Sequence, residues 1–134
     1  MAIQLSTAVR NARLDAIEST IGASAVLKIF TGAQPANCGA ANQGTELVSM
    51  NLPADWMSAA SNGVKALLGT WQGTGLAAGN GGHYRIYANG GTTCHKQGSV
   101  TATGGGGDLT LDNVNIAVGQ VVTVTSMQWT EPGA

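Results

Sequence analysis

The sequence predicts a mainly β fold, an antiparallel β-sandwich or jelly roll with one short N-terminal helix. Three observations carry that expectation. Between Gly82 and Pro132 the chain is a series of short β-branched and aromatic runs separated by turn residues, the pattern of sequential antiparallel strands. Within those runs the side chains alternate: Tyr84, Ile86 and Ala88 share one face, and His83, Arg85 and Tyr87 the other. Only one segment, near the N-terminus, carries a helical apolar period.

In chain order, Met-Ala-Ile-Gln-Leu at residues 1–5 reads as an apolar arm. The helix is expected over residues 7–21, with Ser6 or Thr7 as N-cap and Gly22 ending it. Leu14, Ile17 and Ile21 form its apolar stripe, and Ala8, Ala12 and Ala16 lie roughly opposite, where another subunit would fit. Residues 24–31 alternate as a buried strand, and the Gly, Asn and Pro content of residues 32–44 makes that stretch a loop. Residues 46–52 return as a strand, Pro53 breaks it, and residues 65–72 form a third strand. Residues 73–82 read as a flexible connection. Strands follow over residues 83–88, 93–103, 108–112, 113–116 and 120–130, with a bulge or bend near Asn113, after which Val114 and Ile116 alternate in the opposite phase. The total is seven or eight strands in one domain spanning residues 1–134, with the arm and helix over about residues 1–22. Leu27, Ile29, Ile86, Val100, Leu111, Val122 and Val124 are the expected core. Truncating any of them to Ala should cost about 2–4 kcal/mol by chemical denaturation, and losses below about 0.5 kcal/mol at most of them would contradict the strand assignment.

Composition narrows the function. The 134 residues suffice for one domain that buries roughly two thirds of its extended surface. Charged residues make up 10%, well below the usual share, and 20 glycines exceed it. A surface poor in Lys and Glu suits a protein covered by neighbours. With a net charge of −1 and six scattered basic residues, nucleic acid is not an expected partner. No stretch is apolar enough to span a membrane or act as an export signal. Neither a membrane partner nor secretion is expected, and synthesis is assigned to the cytoplasm.

The chain offers little to an enzyme. His83 and His95 are the only histidines, and Cys94 and His95, adjacent on a strand, point to opposite faces. No metal-ligand spacing such as C-x-x-C or H-x-H is present, and neither glycine cluster leads into a phosphate-binding helix. Asp108 and Asp112 share one strand face, so turn capping suits them better than glycosidase chemistry. No catalytic residue, metal or cofactor is expected. Trp56, Trp71 and Trp129, with Tyr84 and Tyr87, would serve as core or interface filling, or alternatively as a sugar-stacking platform. Arg85, between two tyrosines, suits a paired or snorkelling role better than a ligand clamp. Cys38 and Cys94 are either two buried thiols or a single bridge. The bridge would close a loop of about 55 residues, contribute on the order of 4 kcal/mol and form only outside a reducing compartment.

Three stretches, Thr7-Ala-Val-Arg-Asn-Ala-Arg-Leu-Asp-Ala-Ile-Glu18, Leu27-Lys-Ile-Phe-Thr-Gly-Ala-Gln-Pro-Ala-Asn-Cys38 and His83-Tyr-Arg-Ile-Tyr87 through Gly91-Thr-Thr-Cys94, resemble small virion proteins of tailed bacteriophages encoded beside the major capsid protein. The resemblance spans most of the chain, but its motifs are architectural. It implies a β-sandwich or jelly-roll decoration (cement) protein of the phage head, with the major capsid protein and copies of itself, as a homotrimer, for partners. Ile3, Leu5, Val9, Arg10, Arg13, Leu14 and Ile17, on the arm and helix, are the expected oligomer or capsid contacts. A neck, tail or fibre-base protein, and a carbohydrate- or host-surface-binding module, are the alternatives.

Overall fold

The structure is a computed structural model that describes residues 3–134; Met1 and Ala2 of the expected arm lie outside the described residues. One helix, α1 (Thr7–Ile21), precedes ten strands: β1 (Val26–Thr31), β2 (Glu46–Asn51), β3 (Val64–Ala66), β4 (Trp71–Gly75), β5 (Gly79–Tyr87), β6 (Cys94–Ala102), β7 (Leu109–Leu111), β8 (Asn115–Ile116), β9 (Val121–Val124) and β10 (Gln128–Thr130). Most strands join one main sheet in the order β7-β6-β5-β1-β2-β4-β9, with β8 pairing the start of β5. β10 and β3 form a separate two-stranded sheet. The sheet curves until its end strands β7 and β9 come close, which gives a nearly closed, barrel-like body. The fold is thus mainly β with one helix, and its principal sheet follows one continuous path.

All seven expected core residues are buried, and Leu27, Ile29 and Ile86 are fully so. At one end Trp56 packs against Trp71 and Trp129, each with ring centroids 5.8 Å apart, and its indole N–H donates to Gly22 O at 3.0 Å. These three tryptophans, with Tyr84 and Tyr87, belong to the buried interior and offer no exposed stacking platform.

The helix closes that end. Ser6 Oγ caps it by accepting from Val9 N, and Gly22, at φ 93°, ends it with its N–H donating to Glu18 O. Leu14 and Ile21 are buried, while Asn11, Asp15 and Glu18 accept hydrogen bonds from the backbone N–H groups of Gly63, Ala60 and Met57. Lys65, 2% exposed, reaches Asp15 Oδ1 and Glu18 Oε2 at 2.7 Å each and donates to Ser58 O at 2.8 Å. These contacts make α1 part of the folded body.

Several strand boundaries differ from the sequence reading. Residues 65–72 divide into β3 and β4 because the backbone turns at Gly69, φ 76°. Residues 73–82 are mostly strand, ending β4 and beginning β5. Their glycines serve close backbone approach: a Cβ on Gly75 would meet Ala117 O, and one on Gly82 would meet the Gly32 backbone. Residues 120–130 also divide, into β9 and β10. At Asn113 there is a side-chain turn, its Oδ1 accepting from Asn115 N at 2.9 Å, and the chain leaves β7 for β8. Finally, β6 and β7 pair in parallel where successive antiparallel strands were expected. The glycine loop doubles back along β6 with Gly104 and Gly106 at positive φ, and Asp108 locks it by accepting from Ser99 N and Oγ.

Candidate functional site

Two regions collect the residues singled out from the sequence. The first is an open cleft of about 500 Å³ between the loop of residues 32–44 and strands β5 and β6. Strand β5 is buried on both faces from His83 to Tyr87. Tyr84 and Ile86 face the core cluster, and the alternate residues His83, Arg85 and Tyr87 hold the loop. His83 Nδ1 bonds Gly32 O at 2.9 Å, which assigns the proton to Nδ1 because a carbonyl only accepts, and its ring stacks on Phe30. Arg85, 1% exposed, donates through Nη2 to Cys38 O at 2.8 Å and Ala40 O at 3.1 Å. Asn42 Oδ1 accepts from Arg85 Nη1 and, at 2.6 Å, from the Tyr87 hydroxyl. Arg85 is therefore a loop clamp whose two Nη groups bond carbonyl oxygens, in line with the paired role expected for it, while its buried Nε has no partner among the described residues. A buried guanidinium demands several acceptors, and a loop rich in Asn, Gly and Ala supplies them from its backbone. That need was the one signal for Asn42, which the sequence reading did not single out.

The same clamp presents Cys38 to Cys94. Their sulfurs lie 2.6 Å apart at the edge of the cleft, both half-buried, and both are free thiols. Burial, reinforced by Cys38, pushes the Cys94 thiol up to about 11, with the Arg85 charge opposing. The ionisable groups facing it are Cys38 from the loop and Arg85 and Tyr87 from β5. At neutral pH Cys94 is thus almost entirely protonated and a slow nucleophile. A Cys38→Ser variant removes the Cys38 contribution but keeps the burial, so alkylation of Cys94 by iodoacetamide should still accelerate as pH rises above neutrality. A rate that levels off near neutrality would contradict the burial of this thiol.

The second region is the N-terminal face. Ile3 is 82% exposed and, with Leu5, Arg13, Pro132 and Gly133, lines a shallow groove of about 240 Å³. Leu5 N donates to Gly133 O, which lays the arm beside the C-terminal segment. Val9 is exposed, as are Ala8, Ala12 and Ala16 along the outer side of α1. Arg13 pairs with Glu131 at 3.0 Å while staying largely exposed, and Arg10 is half-buried, its Nη2 donating to Thr7 Oγ1. Leu14 does not fit a contact role, being 2% exposed inside its own core, and Ile17, half-buried, packs against that core. Their side chains serve the fold of this chain.

Among the described residues no three His, Cys, Asp or Glu side chains come together as a cation site. Among the described residues no helix is long and apolar enough to cross a membrane. Comparison with protein families, with curated proteins and with solved structures gives no match.

Proposed function

We propose that the chain is a non-enzymatic structural protein of a tailed-bacteriophage virion, a capsid decoration (cement) protein that binds the outer surface of the head at capsomer junctions and stabilises it. The observation that carries this reading is the resemblance over residues 7–18, 27–38 and 83–94, stretches that lie in α1, in β1 with the clamped loop, and in β5 through the start of β6. On this reading the barrel-like body is a variant of the jelly-roll or sandwich design of such proteins. The major capsid protein and two further copies of the chain are the partners, and the protein passes from the bacterial cytoplasm to the phage head. Few charges, an exposed alanine side on α1 and an apolar arm tip at Ile3 suit lateral contact with neighbouring subunits. Many such contacts across a lattice would add through avidity.

Light scattering at micromolar concentration should give the mass of a trimer, which fits a seat at three-fold or quasi-three-fold junctions. A variant lacking residues 1–5 keeps the Ser6 cap and the sealed helix, so it should remain folded with nearly unchanged thermal stability. It should lose most of its binding to expanded, DNA-free heads. Full binding by this variant would remove the arm from the contact surface.

A further inference from the structure

We propose that Cys38 and Cys94 are a modification site: an oxidative latch whose disulfide fastens the loop of residues 32–44 to β6. Placement carries the inference. Cys94 opens β6 opposite Tyr87 of β5 in the sheet register, so its backbone is fixed by the main sheet. Cys38 belongs to a loop with no strand of its own, yet Arg85, two residues before Tyr87, holds that loop by the carbonyls of Cys38 and Ala40 and by Asn42. Gln97 Nε2 donates to Pro35 O at 2.7 Å and adds a second tie from β6. The loop is thus positioned by groups other than the cysteines, and the two thiols meet across 56 positions of sequence. Arg85 and Tyr87 flank the pair in the cleft, and Cys94 Sγ approaches the Lys96 carbonyl at 3.7 Å.

The reaction is thiol–disulfide exchange with a low-molecular-weight disulfide as oxidant. One cysteine, as its thiolate, attacks a sulfur of the small disulfide, forms a mixed disulfide and expels one small thiolate. The second cysteine, losing its proton to solvent, attacks the protein sulfur of that mixed disulfide and expels the other small thiolate. Two protein thiols are oxidised, one small disulfide is reduced to two thiols, and the protein loses two hydrogens. In a reducing cytoplasm the latch stays open, and it closes once the protein meets an oxidising medium. The inference rests on the cleft alone and stands apart from the virion reading.

Reduced, folded protein is incubated with an excess of oxidised glutathione at mildly alkaline pH, and intact mass, free thiols and melting temperature are measured without reductant. The latch predicts a monomeric chain lighter by two hydrogens, no free thiol, and a melting temperature raised by on the order of 10 °C because a long unfolded-state loop is closed. Dithiothreitol should reverse the gain, and Cys38→Ser and Cys94→Ser should each show none. A stable glutathione adduct on the wild-type chain, a covalently linked dimer, two unreacted thiols, or a closed bridge with unchanged melting temperature would each overturn the proposal.

Discussion

Trp56→Ala should lower the free energy of unfolding by about 3–5 kcal/mol, a third or more of the stability of a typical small domain. Three terms combine. The indole is fully buried, so truncation removes its whole transfer contribution and leaves a cavity. Its edge-on and tilted contacts with Trp129 and Trp71 disappear. The Gly22 carbonyl at the end of the helix loses its donor, and the Trp56 carbonyl, which accepts from Trp71 Nε1 at 3.1 Å, shifts with any relaxation of the backbone. Urea denaturation followed by tryptophan fluorescence reads the loss directly. Trp56→Phe should retain the packing yet forfeit the hydrogen bond, so it should fall at about 1–2 kcal/mol. A Trp56→Ala loss below about 1 kcal/mol would contradict the role of this residue as the joint between helix and sheet.

The second large effect is expected at Lys65. Its buried ammonium is the only cation between Asp15 and Glu18 among the described residues, and it ties α1 to β3. Lys65→Met keeps most of the stem but leaves both carboxylates without their partner. Removal of one member of a buried ion pair costs about 3–5 kcal/mol. Because the Asp15 side chain is half exposed and Glu18 is partly so, solvent offsets part of that, and a loss of about 2–3 kcal/mol is expected. Adding Asp15→Asn and Glu18→Gln to Lys65→Met should recover part of the loss, as a neutral set carries no stranded charge.

The same cluster sets a pH dependence with a definite sign. Hydrogen bonding by Lys65, then by the Ala60 N–H, holds the Asp15 carboxyl below its ordinary value. Its contribution is present above the unfolded carboxylate range and is lost as pH falls through the depressed folded value. For Lys65, burial acts to lower the pKa, but the hydrogen bonds to Asp15 and Glu18 outweigh it and the net direction is up. Its contribution is therefore present below the unfolded lysine value and is lost as pH rises through the folded one. Lys65→Met should weaken both arms of the stability–pH profile, and an acid arm unchanged from wild type would contradict the coupling to Asp15.

Much of the frame was legible in the sequence because it rests on local chemistry. The helix follows from Ser6, Gly22 and the Leu14–Ile17–Ile21 stripe, and β1, β2, β5 and β6 follow from alternation in runs long enough to show a period. Where strands shorten to two or three residues, as in β3, β7, β8 and β10, alternation cannot distinguish a broken strand from a continuous one. The parallel pairing of β6 with β7 was hidden because a glycine loop between two short strands ordinarily signals a hairpin, and only the locking of Asp108 onto Ser99 reveals the doubling back. The glycines of residues 73–82 looked like flexibility, whereas at Gly75 and Gly82 they admit neighbouring backbone.

The cleft was legible in part. Arg85 and the two cysteines were recognised as residues needing an explanation, and Arg85 as one needing partners. Their meeting depends on a loop whose course is set by backbone carbonyls, which leave no mark on side-chain pattern. For the helix the opposite holds. Its apolar stripe is visible, but the sequence does not separate the side chains that pack inward, such as Leu14, from those free for a neighbour, because that depends on how α1 plugs one end of the body. What remains on its outer side, Val9 with the three alanines, is the surface consistent with a neighbour.

The central claim is tested most directly by cosedimentation of the purified protein with expanded, DNA-free heads of the phage that encodes it, with bound copies quantified against the major capsid protein. Saturable binding at a copy number that matches the capsomer junctions, with added resistance of the heads to heat, is the predicted result. No binding, or saturation at the few copies of a neck or tail ring, would contradict a decoration protein.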